Sequence, residues 1–319
     1  MAIKAFGAKP PERVFDNPEP TDLRLQGASM ATVMWEFFFR KPRLSVPPAP
    51  LPAAKTDLST VQDGLVWFGH SSYFVQTGGM RLGVDLVLSG HASPFSFMTK
   101  AFQATYTYTV SDIPDLDILV ITHDHYDHLD YETVVALAPR VKTIVTTLGV
   151  GAHLQYWGIP GSKIVELGWG GHWGPLTATP ARHFSGRTTR RNHTLWASFV
   201  LTLGGRRLFL GGDSGYGAHF ASIGLEYGPF DLALLECGQY GVHWPYIHMF
   251  PEQTYQAALD LRAKALMPVH WGKFSLSLHE WDEPIRRLSA VANGVPLVTP
   301  RIGEMVPLGG PYPGKAWWD

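Results

Sequence analysis

The sequence contains a single cysteine, Cys237, so it can form no internal disulfide and no cage of thiolate metal ligands. It has no excess of charge of either sign, because 26 basic residues stand against 27 acidic ones. Such a balance gives no general attraction to nucleic acid. No apolar run reaches the ~18 residues that span a bilayer, and the N-terminus lacks the apolar core of a signal peptide. We therefore predict a cytoplasmic protein that contacts a membrane, if it does so, only at the surface.

Proline is abundant and unevenly distributed. Nine of the 25 prolines lie in residues 1–60, which predicts an extended arm packed on a single domain over residues 61–319. Within the arm, a stretch over residues 30–43 places several aromatic side chains before basic ones: Trp35, Phe37, Phe38 and Phe39, then Arg40, Lys41 and Arg43. This stretch fits either a short helix packed on the domain or a peripheral membrane contact.

From residue 61 onwards, short apolar stretches alternate with glycine turns. Residues 64–88 predict two or three strands around a Gly78-Gly79 turn. The continuous apolar run at 116–122 is typical of a buried strand. Asp130 is placed to cap a following helix, and residues 251–263 predict another helix that begins at a proline. Stacked sheets with outer helices fit this order best.

The most distinctive stretch is ITHDHYDHLD, at residues 121–130. His123, His125 and Asp127 alternate directly after the apolar run, and alternate side chains of an extended chain share one face. His128 can join them if the chain turns near Asp130. Imidazole and carboxylate ligands without sulfur suit Zn²⁺, Mn²⁺ or Fe²⁺. Four such residues within six positions are enough to begin two adjacent metal sites.

Three later places repeat the arrangement of an apolar stretch followed by a possible ligand. They supply His183, Asp213 and His270. Each alone could be a core histidine or a turn aspartate. Taken in order after the cluster at 123–128, they complete a ligand set.

The set resembles the metallo-β-lactamase superfamily, most closely the branch that contains N-acyl-phosphatidylethanolamine phospholipase D. The resemblance covers roughly residues 64–306, and the related L-ascorbate-6-phosphate lactonase branch shares the glycine-histidine strand and the metal motif. Besides the cluster itself, the matching stretches are WFGHSSYFV (67–75), HASPF (91–95), PARHFSGR (180–187), TLWASF (194–199), GGDSGY (211–216), HMFPEQ (248–253) and PVHWGKF (268–274). The resemblance implies an α/β fold, a four-layer αβ/βα sandwich of two mixed sheets with outer helices.

The resemblance also implies a dinuclear centre with seven ligands. The first metal would be held by His123, His125 and His183, the second by Asp127, His128 and His270, and Asp213 would bridge the two. Zinc is the favoured ion, with manganese or iron as alternatives. Two such metals share a water, lower its pKa and clamp the scissile group. Asp127 would also orient this nucleophile.

Further side chains are candidates for supporting roles. His248 would give a proton to the leaving group, or else cap or pack against the following helix. His70 could contact a ligand or the substrate, or simply pack. Asp85 is expected to support a ligand, although the family commonly has proline where Leu86 follows. Tyr240 and His243 lie on an aromatic loop that could line the pocket.

We predict a metal-dependent phosphodiesterase with a phospholipase D-like reaction on a lipid substrate. The alternatives are a lactonase acting on a sugar-phosphate lactone or similar small ester, and a metal-binding protein without catalysis. A polar, arginine-lined pocket would favour the lactone, and an apolar groove would favour the lipid. Arg187, Arg190 and Arg191 could hold a phosphate or be solvated. No nucleic-acid partner is expected, and both a monomer and a homo-oligomer are compatible with the sequence.

Overall fold

The structure is a computed structural model that describes residues 2–9, 11–23, 32, 35–36, 39–105, 107–187 and 189–319. The expectations for Phe37 and Phe38 fall outside these residues. Within the described residues, the strands form two sheets. The first comprises β1 (Gly64–Trp67), β2 (Tyr73–Thr77), β3 (Met80–Val84), β4 (Leu116–Val120), β5 (Val141–Thr147), β6 (Ile164–Leu167) and β13 (Met305–Pro307).

The first sheet has the strand order β13-β1-β2-β3-β4-β5-β6 and is mixed. Strands β3 to β6 run parallel to one another, whereas the pairs β13–β1, β1–β2 and β2–β3 are antiparallel. The predicted hairpin between β2 and β3 is confirmed. Gly78 and Gly79 both have positive φ angles, 55° and 78°, which a two-residue hairpin turn of this kind requires.

The second sheet has the order β12-β11-β10-β9-β8-β7. Its strands are β7 (His172–Trp173), β8 (Leu176–Thr179), β9 (Ser198–Leu203), β10 (Arg206–Leu210), β11 (Leu232–Glu236) and β12 (Leu266–Val269). Strands β10, β11 and β12 are parallel, and β7 to β10 alternate in direction. Consequently β8, β10, β11 and β12 all end at the same edge of this sheet.

The α-helices with bounds inside the described ranges include α1 (Ala2–Ala5), α2 (Tyr131–Leu137), α3 (Gly151–Tyr156), α4 (His219–Glu226), α5 (Pro251–Asp260) and α6 (Glu283–Val291). The predicted caps are confirmed: the Asp130 carboxylate accepts from Glu132 N at the start of α2, and Pro251 opens α5. No helix within the described ranges combines the length and apolar character needed to cross a membrane.

The two faces of the first sheet belong to different apolar clusters. In β1, Leu65 and Trp67 pack with residues of the second sheet such as Phe199, while Val66 packs with Leu137 of α2. This two-residue period buries both faces of the strand, as expected for a sheet covered on each side. Helices α4, α5 and α6 also contribute buried residues to the first of these clusters. The fold is therefore the predicted αβ/βα sandwich.

Candidate metal centre

Possible metal ligands follow the carboxyl ends of strands from both sheets. Strand β4 leads into the loop 123–128, β8 leads to His183, β10 to Asp213 and β12 to His270. Each of these strands is buried and ends at the edge of the sandwich. The possible ligand that follows the strand therefore lies at this edge. All of these side chains meet there, although they come from segments up to about half the chain apart.

The loop after β4 turns back on itself. His125 O accepts from His128 N at 3.1 Å and from Leu129 N at 2.7 Å, so the chain reverses before Asp130 caps α2. This reversal returns the His128 ring to within 4.2 Å of the His123 ring, measured between centroids. His123 Nε2 lies 2.9 Å from His125 Nδ1. The turn that the sequence required for His128 to join the cluster is thus present.

The ligand atoms fall into two neighbouring groups, in each of which all atoms lie within 4.8 Å of one another. One group is His123, His125, His183 and Asp213, and the other is His70, Asp127, His128 and His270. The Asp213 carboxylate lies between the groups. Its Oδ2 is 3.6 Å from His183 Nε2 and 3.1 Å from His128 Nε2, and its Oδ1 is 3.0 Å from His270 Nδ1.

The donor set fits divalent metals. Among the described residues, His128 Nε2 and Asp213 Oδ1 are buried and make no hydrogen bond of good geometry, although each lies within 3.1 Å of another ligand atom. A buried polar atom of this kind is costly unless another group satisfies it. Imidazole nitrogens and carboxylate oxygens in this number suit two ions of the zinc, manganese or iron type. The seven residues expected to hold the metals are therefore brought together.

The protonation states of His123, His183 and Asp213 also suit metal binding. Burial and the neighbouring histidines hold the pKa of His123 well below its usual value, and burial does the same for His183. Burial opposes ionisation of Asp213, but His128 and His270 hold the pKa of its carboxyl well below the usual range. Neutral imidazoles and ionised carboxylates are the forms that bind metal.

Two of the ligand histidines, His128 and His183, are oriented by a hydrogen bond at the ring nitrogen that does not contact Asp213. His128 Nδ1 lies 2.8 Å from Asp85 Oδ2, and His183 Nδ1 lies 2.8 Å from Ile247 O. Asp85 also accepts from Thr122 N and Oγ1. His70 Nε2 lies 2.9 Å from Asp127 Oδ2, so it holds that carboxylate instead of packing passively. Such outer partners fix the tautomer and the direction of a ligand.

Asp124 stands between His123 and His125 in the sequence, and its role could not be predicted from the sequence alone. Its carboxylate accepts from Gly186 N at 2.7 Å and from Thr194 Oγ1 at 2.9 Å, and lies 3.3 Å from His153 Nε2. Burial opposes ionisation, but the His153 contact outweighs it and lowers the pKa of Asp124 to about 2. Asp124 thus ties the loop after β4 to the loop that carries His183.

Glu236 is a second residue that the sequence did not reveal. It ends β11, is buried, and its Oε2 lies 2.9 Å from His248 Nδ1, while Oε1 accepts from Met249 N. Burial raises the pKa of Glu236. For His248, burial acts in the opposite direction, but the Glu236 carboxylate outweighs it and raises the pKa. The only signal available was an acidic residue at a strand end, where the ligands also lie.

A cavity of about 220 Å³ opens onto the metal centre. His125, Asp127, Asp213, His248 and His270 form its polar side. Gln239 and the apolar side chains of Phe184, Trp244, Ile247 and Leu276 complete the lining. The cavity can therefore hold a substrate that presents a polar reacting group to the ligands and an apolar portion to these apolar side chains.

Tyr240 and His243, which were expected to line the pocket, lie beside a neighbouring cavity that shares Trp244 with the first. Tyr240 OH donates to Glu283 Oε1, and His243 Nε2 lies 2.8 Å from Glu36 Oε2. Arg187 was expected to hold phosphate or be solvated. It is not solvated, because its buried guanidinium donates to three backbone carbonyls, those of Ala5, Asp124 and Leu129.

Comparison with known proteins agrees with this geometry. A family model described as the beta-lactamase superfamily domain matches residues 91–271. An uncharacterized protein of Mycobacterium tuberculosis is 39% identical over 334 residues, covering 99% of this chain and 90% of that protein. An N-acyl-phosphatidylethanolamine-hydrolyzing phospholipase D of Caenorhabditis elegans is 32% identical over 233 residues, covering 67% of this chain and 65% of that protein.

The solved structure of a metallo hydrolase from Ignicoccus hospitalis superposes with a TM-score of 0.58 at 22% identity. The match covers 76% of this chain and 97% of that chain. At this identity the likeness shows a common fold.

Proposed function

Because the chain belongs to the metallo-β-lactamase superfamily of metal-dependent hydrolases, we propose that it cleaves a phosphodiester of an N-acyl phospholipid in a phospholipase D-like reaction. The observation that carries the proposal is the cavity over the metal ligands, with its apolar wall of Phe184, Trp244, Ile247 and Leu276. The similarity to a phospholipase D that hydrolyses N-acyl-phosphatidylethanolamine supports the same substrate class.

The cavity fits a lipid better than a sugar phosphate. A small polar phosphate ester needs cationic side chains, as arginine forks provide. Among the described residues that line this cavity, none is arginine or lysine. The Arg191 guanidinium lies 5.3 Å from the centroid of the Phe184 ring, and Arg187 is bonded elsewhere. A lactonase acting on a sugar phosphate is therefore the weaker candidate.

The chain's own residues can carry out the supporting steps. Bound divalent ions would lower the pKa of water and polarise the phosphoryl group. His70 holds one oxygen of Asp127, so the other oxygen can orient the attacking water. Glu236 fixes His248 Nδ1, which leaves Nε2 to give a proton to the leaving alkoxide. The apolar side chains of the cavity would limit the access of water to the reacting group of a bound lipid.

The metal-loaded protein should release phosphatidic acid from N-acyl-phosphatidylethanolamine in detergent micelles. A His123→Ala variant should release none, because it loses a ligand whose Nε2 lies 2.9 Å from His125 Nδ1. Product is measured by chromatography, beside a panel of lactones. Lactone opening without lipid cleavage would reject the phospholipase proposal and keep the metal centre. Absence of any turnover, with metal bound, would favour a binding protein.

We also propose that the segment 30–43 contacts a lipid surface. Trp35 and Phe39 are 50% and 74% exposed, their rings lie 5.9 Å apart, and the Arg40 guanidinium lies over Trp35. Exposed aromatic rings beside basic groups suit a headgroup boundary. The contact between Glu36 and His243 ties this segment to the loop that carries Trp244 at the cavity.

A Trp35→Ser/Phe39→Ser variant should sediment less with anionic phospholipid vesicles than the unmodified protein does. Its turnover of a short-chain, water-soluble diester should be unchanged, since neither residue lines the cavity. Tyr156→Ser, which removes another half-exposed ring from the end of α3, is the matched control and should bind vesicles normally. Equal sedimentation of the two variants would reject the proposed contact.

A further inference from the structure

The backbone of His183 takes its hydrogen-bond partner from the N-terminal arm. His183 is buried in the loop after β8, beyond the last residue that pairs with β9. A buried backbone N–H or C=O requires a partner. The side-chain amide of Asn17 serves both groups: Nδ2 donates to His183 O at 2.7 Å, and Oδ1 accepts from His183 N at 3.0 Å.

These two hydrogen bonds to the backbone of His183 complement a third that its ring makes. Ile247 O lies 2.8 Å from His183 Nδ1, and His183 Nε2 lies 3.3 Å from His125 Nδ1. Ile247 therefore fixes the rotation of the ring, while Asn17 fixes the position of the backbone that carries it. Other ligands are held by segments of the domain itself, as where His270 N donates to His70 O.

The arm is fastened on both sides of Asn17. Before it, Phe15 N donates to Asn192 O at 2.8 Å, and the Phe15 side chain packs with Trp196. After it, the Glu19 carboxylate accepts from Ala218 N at 2.9 Å. Asn17 is thus held between two anchors and cannot leave His183 without breaking other contacts.

We propose that Asn17 is a positioning residue of the metal centre and that the arm is thereby part of the site. Asn17 bonds to the backbone of His183 and not to its ring, and it is not among the residues that line the cavity over the metal centre. It would act on the metal through the position of the His183 backbone. The inference rests on the metal centre of the proposed function but is independent of its phospholipid substrate.

The test measures metal affinity of the full chain. Asn17→Leu removes both bonds, so the affinity for Zn²⁺ or Co²⁺ of the group that contains His183 should fall about 10–100-fold, as when other outer partners of ligands are lost. Binding at the group of Asp127, His128 and His270 should change less. Asn17→Asp keeps the acceptor for His183 N but loses the donor to His183 O. Its metal affinity should therefore lie between that of the unmodified protein and that of Asn17→Leu. Calorimetric titration of the metal-free proteins gives both constants.

Thr21→Val is the matched control. It removes another bond between arm and domain, from Arg182 Nε to Thr21 Oγ1 at 2.9 Å, without touching a ligand residue. Metal affinity should stay unchanged, and circular dichroism of the metal-free proteins checks folding. Equal weakening by Thr21→Val and Asn17→Leu would overturn the proposal in favour of general arm stability, and so would full affinity in Asn17→Leu. If Asn17→Leu fails to fold, Asn17→Asp decides between the same outcomes. Failure to cleave phospholipid would not affect either result.

Discussion

Replacing Asp213 by alanine will lower turnover by about 10²–10³-fold, which is the cost of losing a major electrostatic group in an active site. The reason is its position, since this carboxylate lies between the two ligand groups. It is within 3.7 Å of a nitrogen of each of four histidines: His123, His128, His183 and His270. Its loss removes the carboxylate of the group that contains His123, His125 and His183, and it leaves several buried imidazoles without their neighbouring negative charge.

The effect should appear in metal binding as well as in activity. A ligand that binds only the folded state at 1,000 times its dissociation constant adds about 4 kcal/mol to the free energy of unfolding. Zinc should stabilise the unmodified protein accordingly and the Asp213→Ala protein far less, as thermal unfolding with and without a chelator measures. Asp115→Ala, which removes an exposed carboxylate before the amino end of β4, should behave as the unmodified protein. Full activity in Asp213→Ala would contradict the assignment of the centre.

The local part of this centre is readable from the sequence because its residues are neighbours. His123, His125 and Asp127 follow a buried apolar run at a spacing of two, which places them on one face. The turn that returns His128 follows from the capping residue Asp130. No spacing rule connects His183 to this motif, so the distant ligands could be assigned only from the family resemblance.

Residues whose function depends on distant partners could not be predicted. Asn17 bonds to a residue 166 positions away, and Asp124 bonds to Thr194, 70 positions away. A polar side chain beside an apolar stretch has the same local pattern whether it is solvated or bonded. Arg187 shows the same limit, because only the folded chain reveals that its guanidinium is buried against carbonyls. Whether such a side chain is solvated or bonded depends on contacts with distant residues, which the local spacing of the sequence does not specify.

Replacing His248 by alanine should lower kcat about 10²–10⁴-fold on a lipid substrate, the usual contribution of a general acid. The alkoxide that leaves from a phospholipid is a strong base and needs a proton as the bond to phosphorus breaks. His248 lines the cavity, and Glu236 holds its Nδ1 at 2.9 Å. Glu236→Gln keeps an acceptor for Met249 N but loses the charge that favours protonated His248, so it should cause a smaller loss of kcat.

Two measurements separate this role from a rival one. Asp213, His248 and His270 also form a group whose ligand atoms lie within 4.8 Å of one another, so His248 could instead bind a metal. A ligand's loss would reduce the metal content and slow every substrate alike. Loss of a proton donor leaves the metal content at the unmodified level and spares a diester with a good leaving group, such as p-nitrophenolate, which departs without a proton. We expect the second pattern, and a His248→Ala protein with one metal missing would reassign His248 as a ligand.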